Sequence, residues 1–221
     1  MQRIPEPELM DDEEHAGAYA RADFAEPNGA FCRYVEERCG GVPERCRAVD
    51  IGCGPGDIAL RLARSHPGWR VDGLDGAAAM LEYAAQALAR SGLGERVRFV
   101  QARLPETGLE PGAYELVVSN SLLHHLADPL VLWRSVHALG RPESAVMVMD
   151  LCRPESPSEA RRLVEQHSPD EPAVLKEDFF RSLLAAYRPA EVAEQLHAVG
   201  LEALGVEQVS DRHVLVWGRL T

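Results

Sequence analysis

Short apolar runs alternate with longer amphipathic runs along most of the chain. The short runs are typical of buried strands, and the longer ones repeat apolar residues at the spacing of a helix. The pattern predicts strands at 47–52, 69–75, 97–101, 114–119, 144–151, 201–209 and 213–219. It predicts helices at 11–24, 28–39, 57–66, 77–91, 130–139, 157–167, 172–187 and 189–199. Strands alternating with helices indicate a parallel sheet covered on both faces.

The last two predicted strands are joined differently. Only Ser210, Asp211 and Arg212 separate them, which permits an antiparallel hairpin but not a parallel crossover of about a dozen residues. We therefore predict an α/β fold with a Rossmann-like, doubly wound sheet of seven strands, five parallel strands being followed by the hairpin. Residues 153–189 break the alternation and hold five prolines. They are predicted to form a helical cap inserted after the fifth strand of a single domain, 1–221, in which 1–40 form N-terminal helices.

Charge and hydropathy narrow the range of partners. The formal net charge is −12, and Lys176 is the only lysine, so the chain lacks the basic stripe that nucleic-acid binders use. No apolar run approaches the roughly 20 residues needed to cross a bilayer. The first 15 residues are polar and acidic, unlike a signal or transit peptide. We expect a cytoplasmic protein without nucleic-acid or membrane partners.

Four cysteines recur every seven residues, at Cys32, Cys39, Cys46 and Cys53. Glycines and a proline interrupt the repeat, so one helix cannot align all four. Structural zinc sites favour cysteines two to four residues apart. Reduced, partly buried thiols are the better interpretation, and we expect no metal site.

The most informative stretch, residues 48–57, closes the first strand and opens a helix. Its glycines, Gly52, Gly54 and Gly56, permit a tight turn and close approach of a ligand. The spacing is neither the GxGxxG of dinucleotide folds nor a phosphate-binding loop with GK[ST]. Asp50 precedes the first glycine, where a carboxylate would repel a pyrophosphate but suit an ammonium group. S-adenosylmethionine carries an α-ammonium and a sulfonium and no phosphate.

A second acid lies at the end of the second predicted strand. Asp75 follows Gly52 by 23 residues, close to the roughly 20 expected for an acid that binds ribose hydroxyls. The alternative is that Asp75 is the N-cap of helix 77–91.

These two segments, VDIGCGPG and GLDGAAAML, resemble motifs I and II of the class I S-adenosylmethionine-dependent methyltransferases. The similarity continues through FVQARLPE, YELVVSNSLLHHLADP and AVMVMDLCRP, and covers roughly residues 15–152 and 189–221. It implies an enzyme of class EC 2.1.1 that transfers a methyl group from S-adenosyl-L-methionine to a small-molecule acceptor.

The resemblance also implies a set of cofactor-binding residues. It consists of Tyr19, Asp50, Gly52, Cys53, Gly54, Asp75, Gly76, Met80, Arg103, Leu104, Asn120 and Ser121. In relatives, the positions matching Asp50, Gly52 and Gly54 contact the methionine moiety, and the one matching Asp75 contacts the ribose. Those matching Gly76 and Met80 lie beside the adenosine, and those matching Asn120 and Ser121 flank the sulfonium.

The roles of Tyr19 and Arg103 in this set do not follow directly from the family pattern. Tyr19 is expected either to close over the methionine carboxylate or to pack against the sheet edge. Where many relatives place an aspartate near the adenine amino group, this sequence has Gln101, Ala102 and Arg103, and arginine cannot accept that hydrogen bond. We expect the backbone of Leu104 to hold adenine instead, with Arg103 turned toward the cap or solvent.

Methyl transfer requires a base only when the acceptor must lose a proton. His124 and His125 follow the fourth strand at the ligand-binding edge and are the candidate catalytic residues; the alternative is packing or support. Arg153 is a candidate to bind an acceptor carboxylate. The cap is expected either to line the acceptor pocket or to pack on its own core or on a second subunit.

Other functions remain open from the sequence. One is an S-adenosylmethionine-using enzyme that does not methylate, such as a carboxy-S-adenosylmethionine synthase-like protein. Another is a silent S-adenosylmethionine-binding regulatory subunit. A homodimer is a further alternative to a monomer.

Overall fold

The computed structural model describes residues 1–6, 17, 19–20 and 24–221, and a seven-stranded sheet forms its centre. The strands are β1 (Cys46–Ile51), β2 (Trp69–Asp75), β3 (Val97–Gln101), β4 (Tyr114–Asn120), β5 (Gly140–Leu151), β6 (Gly205–Gln208) and β7 (His213–Arg219). Their order across the sheet is β3-β2-β1-β4-β5-β7-β6. Strands β1 to β5 are parallel, and β7 runs antiparallel to both β5 and β6. The predicted Rossmann-like fold with a terminal hairpin is confirmed.

Helices cover both faces of this sheet. They are α1 (Ala25–Arg38), α2 (Asp57–Ser65), α3 (Ala78–Ser91), α4 (Leu130–Leu139), α5 (Pro157–His167), α6 (Ala173–Ala185) and α7 (Pro189–Ala198), with a 3-10 turn at Leu123–His125. Successive side chains of β1 point to opposite faces: Val49 joins the core beneath α4 and α7, and Ala48 joins the core beneath α1 and α2. Burial on both faces explains why the central strands are almost continuously apolar in sequence.

The structure differs from the predicted pattern at the chain's two ends. The predicted helix 11–24 lies largely outside the described residues, among which Gly17, Tyr19 and Ala20 are helical. Strand β6 is shorter than the predicted 201–209. Leu201 and Leu204 are buried, but they lie in a turn before the strand. Their apolar side chains made this turn look like the start of the strand in the sequence.

Residues 153–189 contain helices α5 and α6, as the sequence indicated. Helix α5 begins at a favourable cap, because Ser156 Oγ accepts the Glu159 N–H at 3.2 Å and Pro157 occupies the first turn. The two helices share a small hydrophobic core that includes Leu163, Phe180 and Leu183. Within the described residues, no helix combines the length and apolarity needed to span a membrane.

Candidate functional site

The carboxyl ends of the parallel strands bring the two sequence motifs together. Asp50 on β1 pairs in register with Gly73 on β2. The Gly52 and Cys53 N–H groups then donate to the Leu74 carbonyl at 2.7 and 3.0 Å. The glycine loop is therefore fixed against the end of β2, beside the β1–β4 switch point where open α/β sheets bind ligands.

Three glycines of this loop have a left-handed backbone. Their φ angles are +74° at Gly52, +51° at Gly54 and +85° at Gly56. A Cβ at Gly52 would lie 2.8 Å from Leu122, and one at Gly56 would lie 2.4 Å from Phe99. A Cβ at Gly54 would have no atom of the described part of the chain within 4 Å. The protein thus fills the space beside the first and third glycines and leaves open space beside the second.

Asp50 lies beneath this loop with 1% of its surface exposed. Burial first, and then the carboxylates of Asp75 and Asp57, raise its pKa to about 7, although the Ala59 N–H bonded to the carboxylate opposes the shift. Its Oδ2 atom has no hydrogen-bond partner among the described residues. A buried carboxylate oxygen without a donor is costly, and a cationic ligand group would satisfy it.

Asp75 fixes the backbone at the entrance to the open space beside Gly54. Its Oδ2 accepts the Gly54 N–H and its Oδ1 accepts the Ala77 N–H, each at 2.8 Å. The N-cap position of α3 is Ala77, so Asp75 is not the N-cap considered above, although it supports the turn into that helix. Gly76, between these residues, is partly buried.

Tyr19 and Met80 lie beside this entrance. Met80 is buried on α3, and the Tyr19 side chain packs in one small apolar cluster with Met80 and Ala77. Burial, followed by the charge of Asp75, raises the pKa of Tyr19 to about 12. Tyr19 is thus near the acid predicted to bind ribose, and both roles considered for Tyr19 remain predictions.

The segment after β3 runs next to Asp75. The Ala102 N–H donates to the Asp75 carbonyl at 3.0 Å. Arg103 is exposed, and the partly buried Leu104 packs against the core. This arrangement agrees with an arginine directed to solvent, while the predicted contact of Leu104 with adenine remains a prediction.

The end of β4 contributes a second buried hydrogen-bond acceptor. Asn120 Oδ1 is buried and has no hydrogen-bond partner within the described part of the chain. The next residue, Ser121, has a φ of +58°, a left-handed conformation that a non-glycine residue adopts at a cost. Such strain is common at binding sites, and both residues were predicted to flank the sulfonium.

The two candidate catalytic histidines follow in the 3-10 turn. His124 Nδ1 and Asp150 Oδ1 are 2.5 Å apart, and Asp150 also accepts the Leu123 and Leu151 N–H groups at 2.6 Å. Burial opposes both charges, yet their mutual attraction raises the pKa of His124 and lowers that of Asp150. His125 lies beside His124 with ring centroids 4.1 Å apart.

Sequence reasoning missed Glu6, which lies against both histidines. Its Oε1 is 3.5 Å from His124 Nε2 and 3.3 Å from His125 Nδ1. Residues 1–6 showed neither periodicity nor a motif, and no local signal connected them with residues more than a hundred positions away. The contact arises only from tertiary packing.

On the acceptor side, the structure gives Arg153 other partners and favours one of the two alternatives for the cap. Arg153 is 5% exposed and donates to the Ala186 carbonyl at 2.9 Å and to Glu191 Oε1 at 2.5 Å, so both terminal nitrogens of its guanidinium already have partners. Phe180, Leu183 and Leu184 pack in the core shared by α5 and α6. Those apolar side chains build the cap itself.

The chain is similar in sequence to known methyltransferases. Residues 48–143 match the family model described as a methyltransferase domain. A ubiquinone biosynthesis O-methyltransferase from Vibrio campbellii is 33% identical over 121 residues, covering 54% of this chain and 49% of that protein. The chain spans less than half the length of the curated relatives it matches.

Solved structures share the fold at low sequence identity. A SAM-dependent methyltransferase from Aquifex aeolicus superposes with a TM-score of 0.68 at 16% identity, covering 95% of this chain and 99% of that one. The plantazolicin methyltransferase BpumL, in complex with SAH, gives a TM-score of 0.70 at 11% identity, covering 95% and 90%.

The fold is the Rossmann-like fold of these solved methyltransferase structures. The resemblance to the class I S-adenosylmethionine-dependent methyltransferases is confirmed by the domain match over residues 48–143 and by the shared fold.

Proposed function

We propose that this protein is an S-adenosylmethionine-dependent methyltransferase, class EC 2.1.1, acting on a small-molecule acceptor. The observation that supports this proposal best is Asp50, a buried carboxylate beneath a glycine loop, one of whose oxygens has no hydrogen-bond partner among the residues that the structure describes. S-adenosylmethionine fits that observation because its ammonium supplies the missing donors and it has no phosphate for the carboxylate to repel.

Each side of the proposed site has a distinct task. Asp50 and the loop Gly52–Cys53–Gly54 receive the methionine moiety, and Asp75 receives the ribose hydroxyls. Gly76, Met80, Leu104 and Arg103 border the adenosine, with Tyr19 closing the entrance, and Asn120 and Ser121 flank the sulfonium. The bound cofactor supplies a methyl group already activated for displacement, so the chain's main contribution is alignment and exclusion of water.

The acceptor side is polar and partly enclosed. His124 and His125 activate the acceptor, either as bases or as metal ligands. Helix α6 packs against the 3-10 turn that carries them, which supports an acceptor covered by the segment 153–189. A compact acceptor suits this enclosure, and the net charge of −12 disfavours nucleic acids. We propose a cytoplasmic location, with a homodimer as the alternative to a monomer.

Thermal-shift titration and product analysis test the proposal together. S-adenosylmethionine and S-adenosylhomocysteine should raise the unfolding temperature, and NAD should not, because a ligand stabilises the state it binds. Molecules co-purified with the protein, identified by mass spectrometry, supply acceptor candidates. Incubation of protein, S-adenosylmethionine and such an acceptor should then give S-adenosylhomocysteine and a product heavier by one methylene.

Other outcomes decide against methyl transfer. Conversion of S-adenosylmethionine to a different product would indicate a non-methylating enzyme. Binding without turnover across a broad acceptor panel would indicate a regulatory subunit. Stabilisation by NAD alone would refute the cofactor assignment itself.

A further inference from the structure

Residues 1–6 bind along the acceptor side of the domain. The Arg3 guanidinium donates to the carbonyls of Ala185, His124 and Leu126 at 2.5, 2.9 and 3.3 Å. It also lies 4.3 Å from the centre of the Tyr187 ring. These contacts fix the position of Glu6, the last residue of the segment.

The potential metal-ligand atoms of Glu6, His124 and His125 lie close together. Glu6 Oε1, His124 Nε2 and His125 Nδ1 all lie within 4.8 Å of one another. The carboxylate oxygen is 3.5 and 3.3 Å from the two ring nitrogens. Charge-assisted hydrogen bonds between such groups are shorter, roughly 2.7–2.9 Å. Ligands arranged tetrahedrally around a zinc ion, with bonds of about 2.0–2.2 Å, lie about 3.4 Å apart.

The surroundings orient these ligand atoms. The Asp150 carboxylate bonds His124 Nδ1 at 2.5 Å, which fixes the orientation of the ring with Nε2 toward Glu6, and Nε2 would be deprotonated on binding a metal. Ser182 Oγ donates to Glu6 Oε1 at 3.1 Å. In typical metal sites, each histidine ligand is hydrogen-bonded to a carboxylate and each carboxylate ligand accepts a further hydrogen bond.

The local charge suits a dication. The carboxylates of Asp150 and Asp178 lie close enough to Glu6 to raise its pKa. Arg3 supplies one positive charge near His124. With neutral imidazoles the formal sum is about −2. The ligand atoms are buried from water, with side-chain exposures of 10% for Glu6, 3% for His124 and 15% for His125.

We propose that Glu6, His124 and His125 form a binding site for a divalent transition-metal ion of the zinc type. Two imidazoles and one carboxylate are the ligand set of open, catalytic sites for such ions. The cysteines of the heptad repeat take no part. The role of this metal rests on the methyltransferase function proposed above. An oxygen or nitrogen of the acceptor would occupy the open coordination position, and the metal would lower the pKa of that group. The proton that the bound acceptor loses would pass to solvent water, so neither ring would act as a general base.

Metal titration of the full chain tests the site without reference to activity. Protein freed of metal by dialysis against a chelator is titrated with Zn²⁺ in competition with a chromogenic chelator, and separately with Co²⁺ by visible absorption. One equivalent per chain should bind, and the Co²⁺ bands should be those of four or five coordination. Glu6→Gln and His125→Gln should each weaken Zn²⁺ binding by at least about tenfold.

Asp211→Asn is the matched control. It alters another histidine–carboxylate pair, His167 Nε2 and Asp211 Oδ2 at 2.8 Å, which is more exposed, and it should leave Zn²⁺ affinity unchanged. S-adenosylhomocysteine affinity, measured on every variant, verifies that each is folded. Absence of stoichiometric Zn²⁺ binding, or equal affinity in wild type and both site variants, would overturn the proposal. Metal binding without S-adenosylhomocysteine binding would keep the metal site and reject the proposed function.

Discussion

The carboxylate of Asp75 accepts the Gly54 N–H at 2.8 Å, so the acid at the end of β2 holds the loop that follows β1. The same carboxylate is the one proposed to receive the ribose hydroxyls. Loop conformation and ribose recognition therefore depend on one side chain, and the site is organised before a ligand arrives. Preorganisation of this kind reduces the entropy lost on binding.

Replacing Asp75 with alanine should weaken S-adenosylhomocysteine binding by about 10- to 100-fold. Loss of hydrogen bonds to a charged group costs about 1.5–3 kcal/mol, and the Gly54 loop loses its support. Isothermal calorimetry measures the effect, with Asp170→Ala, an exposed aspartate, as the control. An Asp75→Ala protein that binds as tightly as wild type would refute the ribose assignment.

Gly54→Ala should reduce cofactor affinity, whereas Gly92→Ala should not. Both glycines have positive φ, +51° and +71°, and a Cβ at either would have none of the described residues within 4 Å. Each substitution therefore imposes a similar backbone strain of about 1 kcal/mol. Only at Gly54 does the added methyl group enter the proposed ligand space. Calorimetry with S-adenosylhomocysteine compares the two, and equal affinities would show that the open space is not the cofactor site.

The sheet could be predicted from sequence because burial on both faces leaves a strong local signal. Strands β2, β3 and β7 have the predicted limits, and each begins directly after a glycine or a charged residue, namely Gly68, Arg96 and Arg212. The approach of Asp50, Gly54 and Asp75 followed from parallel topology alone, which places the ends of consecutive strands at one edge.

The acceptor side could not be predicted in the same way. Arg153 looked available because an arginine after a strand gives no sign of its partner, and Glu191, 38 residues later, binds it. Glu6 contacts His124 across more than a hundred residues. Such pairs depend on how the cap and the first residues pack, which periodicity does not encode.

Cofactor affinity should fall as pH falls below about 7. Burial and the Asp75 charge raise the pKa of Asp50 to about 7 in the free protein, and the ammonium ligand binds the ionised carboxylate. Between pH 8 and pH 6 the ionised fraction decreases about tenfold, so the apparent Kd should rise by about that factor. Asp50→Asn should bind weakly at both pH values, and a wild-type Kd independent of pH would contradict this role.

Acid should destabilise the protein through His213. Burial first, and then the Arg212 charge, lower the pKa of His213 from 6.5 to about 4. The unfolded chain therefore binds a proton at higher pH than the folded one, and stability falls between pH 6.5 and 4. Urea unfolding across this range measures the slope, and His213→Gln should flatten it. An unchanged slope in that variant would assign the acid sensitivity to other groups.

Asp150→Asn should lower the free energy of unfolding by about 3 kcal/mol, the usual cost of breaking a buried charged pair. The carboxylate accepts the His124 ring N–H and the Leu123 and Leu151 N–H groups, whereas an asparagine would turn an NH2 group toward one of these donors. Asp211→Asn also removes a carboxylate from a histidine, but at an exposed site, so its cost should stay within about 1 kcal/mol. Urea unfolding at pH 7 compares them. Equal losses would mean that the Asp150–His124 contact contributes no more than a surface pair, and that the 3-10 turn is held by its packing.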